Sequence, residues 1–254
     1  MLTAITRSVS PAIGRCELEY LERRPIDLAR AEQQHREYER CLAELGAQVI
    51  ALPAEPGLPD SVFVEDPALV LDEVAVITRM GAESRRAEAP SLAEALARFR
   101  PLRHLTAPAT LEGGDVMRAG HTLFVGASAR TNRAGIEQLS RELAPFGYSV
   151  VPVEVRGCLH LKSACTYLGN DTILAHRPWI DMAPVQHFHI VDVAPEEPWA
   201  GNTLTVGGTV LIPSAFPATA AKLEALGYRV RTLDISELMK AEAALTCSSL
   251  IFEE

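Results

Sequence analysis

Apolar positions along the chain recur in a set order: a short apolar hairpin, a stretch with helical spacing, a glycine, and a further apolar run. The register Leu, two residues, Leu or Phe, Gly, two residues, Val appears at 42–49, 143–150 and 223–230. Each occurrence predicts a helix ending at a glycine cap and passing into a strand, because glycine takes the left-handed backbone at a helix end with least strain. The spacing of Leu28, Ala31, Tyr38, Leu42 and Leu45, and of Ile136, Leu139 and Leu143, supports the helices. The strands that follow are Gln48 to Leu52, Ser149 to Val153 and Arg229 to Leu233.

Ahead of these segments stand apolar runs broken by turn residues. Ala68 to Leu71 and Val74 to Thr78 flank Asp72-Glu73, and Val116 to Met117 and Thr122 to Val125 flank Ala119-Gly120. Asn202 to Val206 and Thr209 to Ile212 flank Gly207-Gly208. A further helix, Leu92 to Phe99, runs into a strand from Leu102 to Leu105. A reduced unit has Thr172 to Ala175, a proline-containing link, and His189 to Val193. The chain thus reads as about five units of hairpin, helix and strand, and repetition at this period predicts units arranged around an axis. The pattern favours a closed five-bladed α/β ring over a doubly wound sheet, which expects a glycine-rich loop between its first strand and helix; none appears. Proline-rich stretches at 53–59, 178–184 and 195–198 read as loops between blades, and no linker or low-complexity tract divides the chain, so one domain over residues 1–254 is expected.

Of the 254 residues 48% are apolar and 22% charged, enough to bury a large core. The formal charge of -9 argues against a nucleic-acid or anionic-membrane surface and suits a small cationic substrate. No apolar run reaches a membrane span and the start MLTAITRSVS lacks a signal-peptide core, so a cytoplasmic protein is expected. Five cysteines with no CxxC pair indicate neither a disulfide framework nor a zinc knuckle.

Three segments carry candidate chemistry. Pro59 to Pro67 surrounds the apolar tripeptide Val62-Phe63-Val64 with Asp60, Glu65 and Asp66, and reads as a strand end turned into a cavity or as a solvated loop. Glu112-Gly113-Gly114-Asp115 flanks two glycines with acids, and glycines permit close backbone approach. His160 follows Cys158 in an apolar stretch, while Cys247 stands where a predicted helix from Ser236 to Ala244 gives way to a final strand. A thiol, a distant histidine and an acid are the ingredients of thiol nucleophilic catalysis, which assembles in space rather than in sequence. Each ingredient alone also has an ordinary structural explanation: a buried thiol, a core histidine, a turn.

Together with Ile77 to Arg86, Ser128 to Asn132, Leu159 to Ser163 and Leu245 to Ser249, these segments resemble the dimethylarginine dimethylaminohydrolases, guanidino-modifying enzymes with a five-bladed α/β propeller of the pentein type. The matching runs cover every unit, in the expected order. The resemblance implies that Cys247 attacks the guanidinium carbon of a methylated arginine, that His160 serves as acid and then base, and that Glu112 orients His160. It further implies that Glu65 and Asp66 hold the guanidinium nitrogens, that Arg85 and Arg130 bind the α-carboxylate, and that Asp60 takes the α-amino group with the carbonyl of Leu18, in a loop suited to be a lid. Ala241 joins the substrate-contacting set on the same ground. Neither cofactor nor catalytic metal is implied; the partner is the small substrate, and a homodimer is left open.

Two alternatives remain at this point. An arginine deiminase would use the same chemistry on unmethylated arginine, but that family has His-x-Asp where this chain has His160-Leu161-Lys162. A non-catalytic propeller that binds the ribosome would have no use for a buried thiol, histidine and acid.

Overall fold

The computed structural model describes all 254 residues. They form five three-stranded sheets, each one repeat unit. The strands are β1 (Leu2–Arg7), β2 (Gln48–Leu52), β3 (Ala68–Val70), β4 (Ala75–Ile77), β5 (Leu102–His104), β6 (Val116–Ala119), β7 (Thr122–Ala127) and β8 (Ser149–Glu154). They continue with β9 (Cys165–Gly169), β10 (Thr172–Ala175), β11 (His189–Asp192), β12 (Leu204–Val206), β13 (Thr209–Pro213), β14 (Arg229–Leu233) and β15 (Leu250–Glu253). The helices are α1 (Leu28–Glu44), α2 (Ala89–Leu96), α3 (Arg133–Leu143), α4 (Leu161–Ala164), α5 (Pro217–Ala225) and α6 (Ser236–Met239).

In blades two to five an antiparallel hairpin is followed by a parallel third strand, as in β3-β4-β5 and β12-β13-β14. A parallel neighbour cannot be reached by a tight turn, so the chain must cross over: α2, α3 and α5 lie in the crossovers of blades two, three and five, and α1 in the parallel β1–β2 crossover of the first blade. In the fourth blade Pro178 and Pro184 sit in two 3-10 turns, Arg177–Trp179 and Ala183–Val185, where the other blades have a helix. The first blade is built from both chain ends: β15 pairs antiparallel with β1, from Leu2 opposite Glu253 to Ile5 opposite Leu250.

The first strands of the blades face a common axis, where β15 packs on β3, β6 on β9 and β9 on β12 around a cavity of about 290 Å3. The apolar core is divided accordingly into five clusters, each at a seam between adjacent blades. Tyr38, Leu42 and Leu211 fill the seam between blades five and one, and Ile5, Val64, Ala75 and Phe252 that between one and two. No helix is long and apolar enough to cross a membrane.

The five-unit ring expected from the pattern is the fold observed. Three local expectations are corrected. Residues 59–67 form successive turns and no strand, so the alternation of faces considered for Asp60, Glu65 and Asp66 does not apply. The helix expected over Ser236 to Ala244 stops at Met239, and Glu242 beyond it takes a left-handed φ of 58°. The pattern predicted neither β1 nor β9; β9 follows α4 directly, with no polar break to mark its start.

Because β15 closes the ring, its buried aromatic residue should carry much of the closure. Phe252 packs edge-on against Phe99 at 5.3 Å between ring centroids. Phe252→Ala should destabilise the protein by about 3–5 kcal/mol through lost burial and a residual cavity, read as a lowered urea midpoint at unchanged slope.

Candidate active site

The side chains singled out in the sequence occupy equivalent places in successive blades, in the turn just ahead of the inner strand. Asp66 precedes β3, Glu112 precedes the Gly113–Asp115 turn and β6, His160 caps α4 ahead of β9, and Cys247 lies in the Thr246–Ser248 turn ahead of β15. Pseudo-fivefold repetition therefore brings four distant segments to one end of the axis. A small cavity of about 20 Å3 there is lined by Glu17, Asp60, Phe63, Asp66, Arg85, Arg130, Leu159, His160, Ala241, Glu242, Ala243 and Cys247.

His160 Nε2 and Glu112 Oε2 are 2.8 Å apart, with Nε2–H donating to the carboxylate. The other ring nitrogen, Nδ1, is 4.0 Å from Asp66 Oδ1. Burial would lower the His160 pKa, but Asp66, Asp115 and Glu112 outweigh it and hold it up at about 9. Burial would raise the Glu112 carboxyl, but the His160 hydrogen bond and charge, with help from Arg85 and Arg130, bring it down to about 2. Glu112 Oε1 accepts from the Ala82 N–H at 3.1 Å and lies 3.5 Å from Arg130 Nη1.

The glycines of the Glu112-Gly113-Gly114-Asp115 segment have a direct cause. A Cβ on Gly114 would lie 2.5 Å from His160 Nδ1, and one on Gly113 would lie 2.0 Å from the Glu65 carbonyl oxygen. Asp115 accepts from the Leu161 N–H at 2.9 Å and from Ser128 Oγ at 2.6 Å, which fixes the backbone next to His160. Thr131 Oγ1 accepts from the Glu112 N–H, and Asn132 caps α3 at the Gly135 N–H. The run from Ser128 to Asn132 is thus a brace for the acid segment as well as the carrier of Arg130.

Cys247 accepts a weak bond from the Ala244 N–H at 3.5 Å, and its carbonyl accepts from the Glu65 N–H at 3.2 Å. Burial, then the charges of Glu65 and Asp66, push its thiol up to about 12. The buried thiols of Cys158 and Cys165 are also pushed up to about 12, chiefly by burial.

Asp66, Arg85, Arg130, Asp60 and Ala241 share the cavity with Cys247 and His160. One residue of the expected set, Glu65, borders a different cavity, and the side chain of another, Leu18, is turned to the apolar core. Glu65 faces Thr246 Oγ1, which donates to it at 2.7 Å, and Lys162 Nζ, with which it ion-pairs; it borders the axial cavity rather than the one holding Cys247. Glu65 is thus engaged on both oxygens, as Asp66 is by Arg85 and the Gly114 N–H. Leu18 packs against the apolar cluster between blades five and one, and Glu17 beside it lines the cavity. Arg85 is also heavily engaged, bonding Asp66 Oδ2 at 2.8 Å and both oxygens of Glu88 at 3.1 and 2.9 Å. Sequence reasoning missed Glu17, Glu19 and Glu242, whose part rests on contacts across the ring.

Donor atoms of Asp66, Glu112 and His160 lie within 4.8 Å of one another, a spacing that would admit a cation. All three already hold protein partners: Arg85 and the Gly114 N–H on Asp66, and His160 on Glu112. A metal would have to displace these bonds.

A family model described as N,N dimethylarginine dimethylhydrolase, eukaryotic, matches residues 19–207. The chain is 39% identical to an N(G),N(G)-dimethylarginine dimethylaminohydrolase of Pseudomonas aeruginosa over 89% of this chain and 90% of the other. It is 38% identical to a Streptomyces coelicolor protein of the same name, over 99% and 97%. The chain belongs to the dimethylarginine dimethylaminohydrolase family. A solved structure of the Pseudomonas aeruginosa family member, a mutant complexed with citrulline, superposes with a TM-score of 0.94 at 36% identity, covering 99% of this chain and all of that one. The N-terminal domain of ArgZ, a cyanobacterial arginine dihydrolase, shares the fold at 20% identity with a TM-score of 0.87.

The surroundings of this family member's thiol set its reactivity. With the thiol held at about 12 and His160 at about 9, the empty protein at neutral pH carries a neutral thiol beside an imidazolium. Alkylation of Cys247 by iodoacetamide should therefore accelerate steadily from pH 6 to pH 9 without a plateau. A profile already level at pH 7 would show that the acids around the site do not control the thiol.

Proposed function

We propose that this protein hydrolyses Nω-methylated arginines, asymmetric dimethylarginine and monomethylarginine, to citrulline and dimethylamine or methylamine. The observation that carries the reading is the shared cavity of Cys247 and His160, with Glu112 behind the imidazole and Asp66 beside it. An anionic pocket attracts a guanidinium, and the arriving cation stabilises the thiolate that the acids otherwise suppress. The thiol proton leaves to solvent and His160 stays protonated. Sulfur then adds to the guanidinium carbon, the carbon–nitrogen bond to the methylated amine breaks, and the His160 proton goes to the departing nitrogen. The neutral imidazole takes a proton from water, the resulting hydroxide adds to the same carbon, and the carbon–sulfur bond breaks as the added hydroxyl loses its proton to solvent, releasing citrulline and the thiolate. One residue thus makes two opposite proton transfers, with Glu112 fixing its ring.

Asp66 is the acceptor for guanidinium nitrogens on the cavity wall, a charge-assisted contact that also aims the carbon at sulfur. Arg130 is suited to the α-carboxylate and Asp60 to the α-amino group. Buried Asp60 is raised above the usual carboxylate range, by desolvation first, and an ammonium partner would restore its charge. Glu65 is held by Lys162 and Thr246 at the border of the axial cavity, and the resemblance assigns it, with Asp66, to the guanidinium nitrogens.

Deimination of arginine is the second reading, and the Lys162–Glu65 pair speaks against it. Lys162 stands where the deiminases place an acid, and it ties up the one acid on its side of the site. Arginine would bring two additional N–H donors, each costing about 1–3 kcal/mol if buried unpaired. Methyl groups would instead gain about 0.8 kcal/mol each. Dimethylarginine or monomethylarginine should therefore exceed arginine by at least about a hundredfold in kcat/KM, measured as citrulline formation at equal subsaturating concentration. Comparable rates would move the protein to the deiminases.

Cys247→Ser should abolish turnover while leaving ligand binding close to wild type, since the hydroxyl is nearly isosteric and far harder to ionise. Activity retained within about tenfold would make Cys158 or Cys165 the nucleophile.

A further inference from the structure

Residues 16–27 form neither helix nor strand, yet the part nearest the cavity is fastened to it. The Glu17 N–H donates to both oxygens of Asp60 at 3.3 and 3.2 Å, and its side chain accepts from Ser84 Oγ at 2.5 Å. Glu19 Oε2 accepts from Arg130 Nε at 3.1 Å. The N–H groups of Glu19, Tyr20 and Leu21 converge on Glu242 Oε1 at 2.9, 2.5 and 2.6 Å, a clasp formed by the residue with left-handed φ beyond α6.

Two of these contacts fall on the groups assigned above to the amino-acid end of the substrate. A positively polarised N–H rests on Asp60, and a carboxylate rests on Arg130. The space left is about 20 Å3, room for about one water but not for an arginine.

We propose that Glu19 is an internal ligand of Arg130, and that residues 17–21 mimic the zwitterionic end of the substrate, which must displace them to enter. The inference rests on the proposed function, from which the roles of Asp60 and Arg130 come. Displacement is feasible because the Glu19 side chain is 35% exposed and returns to water, whereas Arg130 and Asp60 stay buried and gain the substrate's charges in exchange. Glu19 thereby competes with every ligand that must enter the site, and only a ligand carboxylate restores a partner to Arg130. A ligand with both a carboxylate and an ammonium replaces both contacts at once. A guanidine that has lost the carboxylate gains nothing by evicting Glu19, since it would leave the Arg130 charge without that partner.

The test compares wild type with Glu19→Gln on two compounds, dimethylarginine and its decarboxylated analogue, which keeps the dimethylguanidine and the amine. For dimethylarginine the KM should fall about two- to fivefold, the size of a partly exposed ion pair, with kcat within twofold. For the analogue the KM, or the inhibition constant if it is not turned over, should fall by a similar factor, because it must evict the same segment and is relieved of the same ion pair. Glu19→Ala should give the same falls, because either substitution removes the carboxylate. An unchanged or raised KM for dimethylarginine, or a fall confined to one of the two compounds, overturns the proposal while wild-type turnover leaves the function standing. Absence of citrulline from wild type and dimethylarginine overturns the function and the proposal with it.

Discussion

Four residue pairs between β1 and β15, from Leu2 with Glu253 to Ile5 with Leu250, join the two ends of the chain into one blade. An open array of the other four blades would leave strand edges and two apolar seams exposed, a liability in both solubility and pairing. Closure also sets the chemistry. Cys247 lies three positions before β15, and its carbonyl accepts from the Glu65 N–H in the turn ahead of β3, so the strand that completes the ring sets the thiol against the second blade. Without that pairing, nothing in sequence proximity would place residue 247 beside residue 66 or residue 160.

A second constraint is charge. Asp60, Glu65, Asp66, Glu88, Glu112 and Asp115 are all buried in or near the site, against Arg85, Arg130, Lys162 and the His160 imidazolium. Buried carboxylates in excess of cations raise one another toward protonation, as in Glu88, held at about 7 by desolvation against its Arg85 pair. A site in this condition is destabilised by its own acids and relieved by a cation. The same excess suppresses the thiolate until that cation arrives, so attraction of substrate and activation of sulfur have one electrostatic origin.

Much of this was legible in the sequence because it is repeated. Glycine-capped helices, hairpin turns and the order of the motifs specify five units, and the units supply equivalent turns at one end of the axis. Cys247, His160, Glu112 and Asp66 could be named in advance for that reason. The surroundings of Leu18 and Glu65 were not legible in the same way, for a different physical reason. Glu65 and Asp66 are adjacent in a stretch of turns, and which of two neighbouring carboxylates faces the cavity depends on Lys162 and Thr246, from blades four and five. Leu18 lies in a segment without periodicity, whose position is decided by contacts with Asp60, Arg130 and Glu242 rather than by any pattern of its own.

The division between seams and axis explains how such a strained polar centre persists. The five apolar clusters lie between blades, so the burial that holds the ring together is spread around its circumference. Each functional side chain sits on a short turn between a seam and the axis, and is fixed by neighbours from other blades: His160 by Glu112, Cys247 by Glu65, Glu65 by Lys162 and Thr246. A site whose members hold one another across blades stays ordered only while the ring is closed, and the ring stays closed through apolar contacts in which the site takes little part. Stability and reactivity are thereby carried by different residues, which lets the axis end keep an excess of acids that a single shared core would not accommodate.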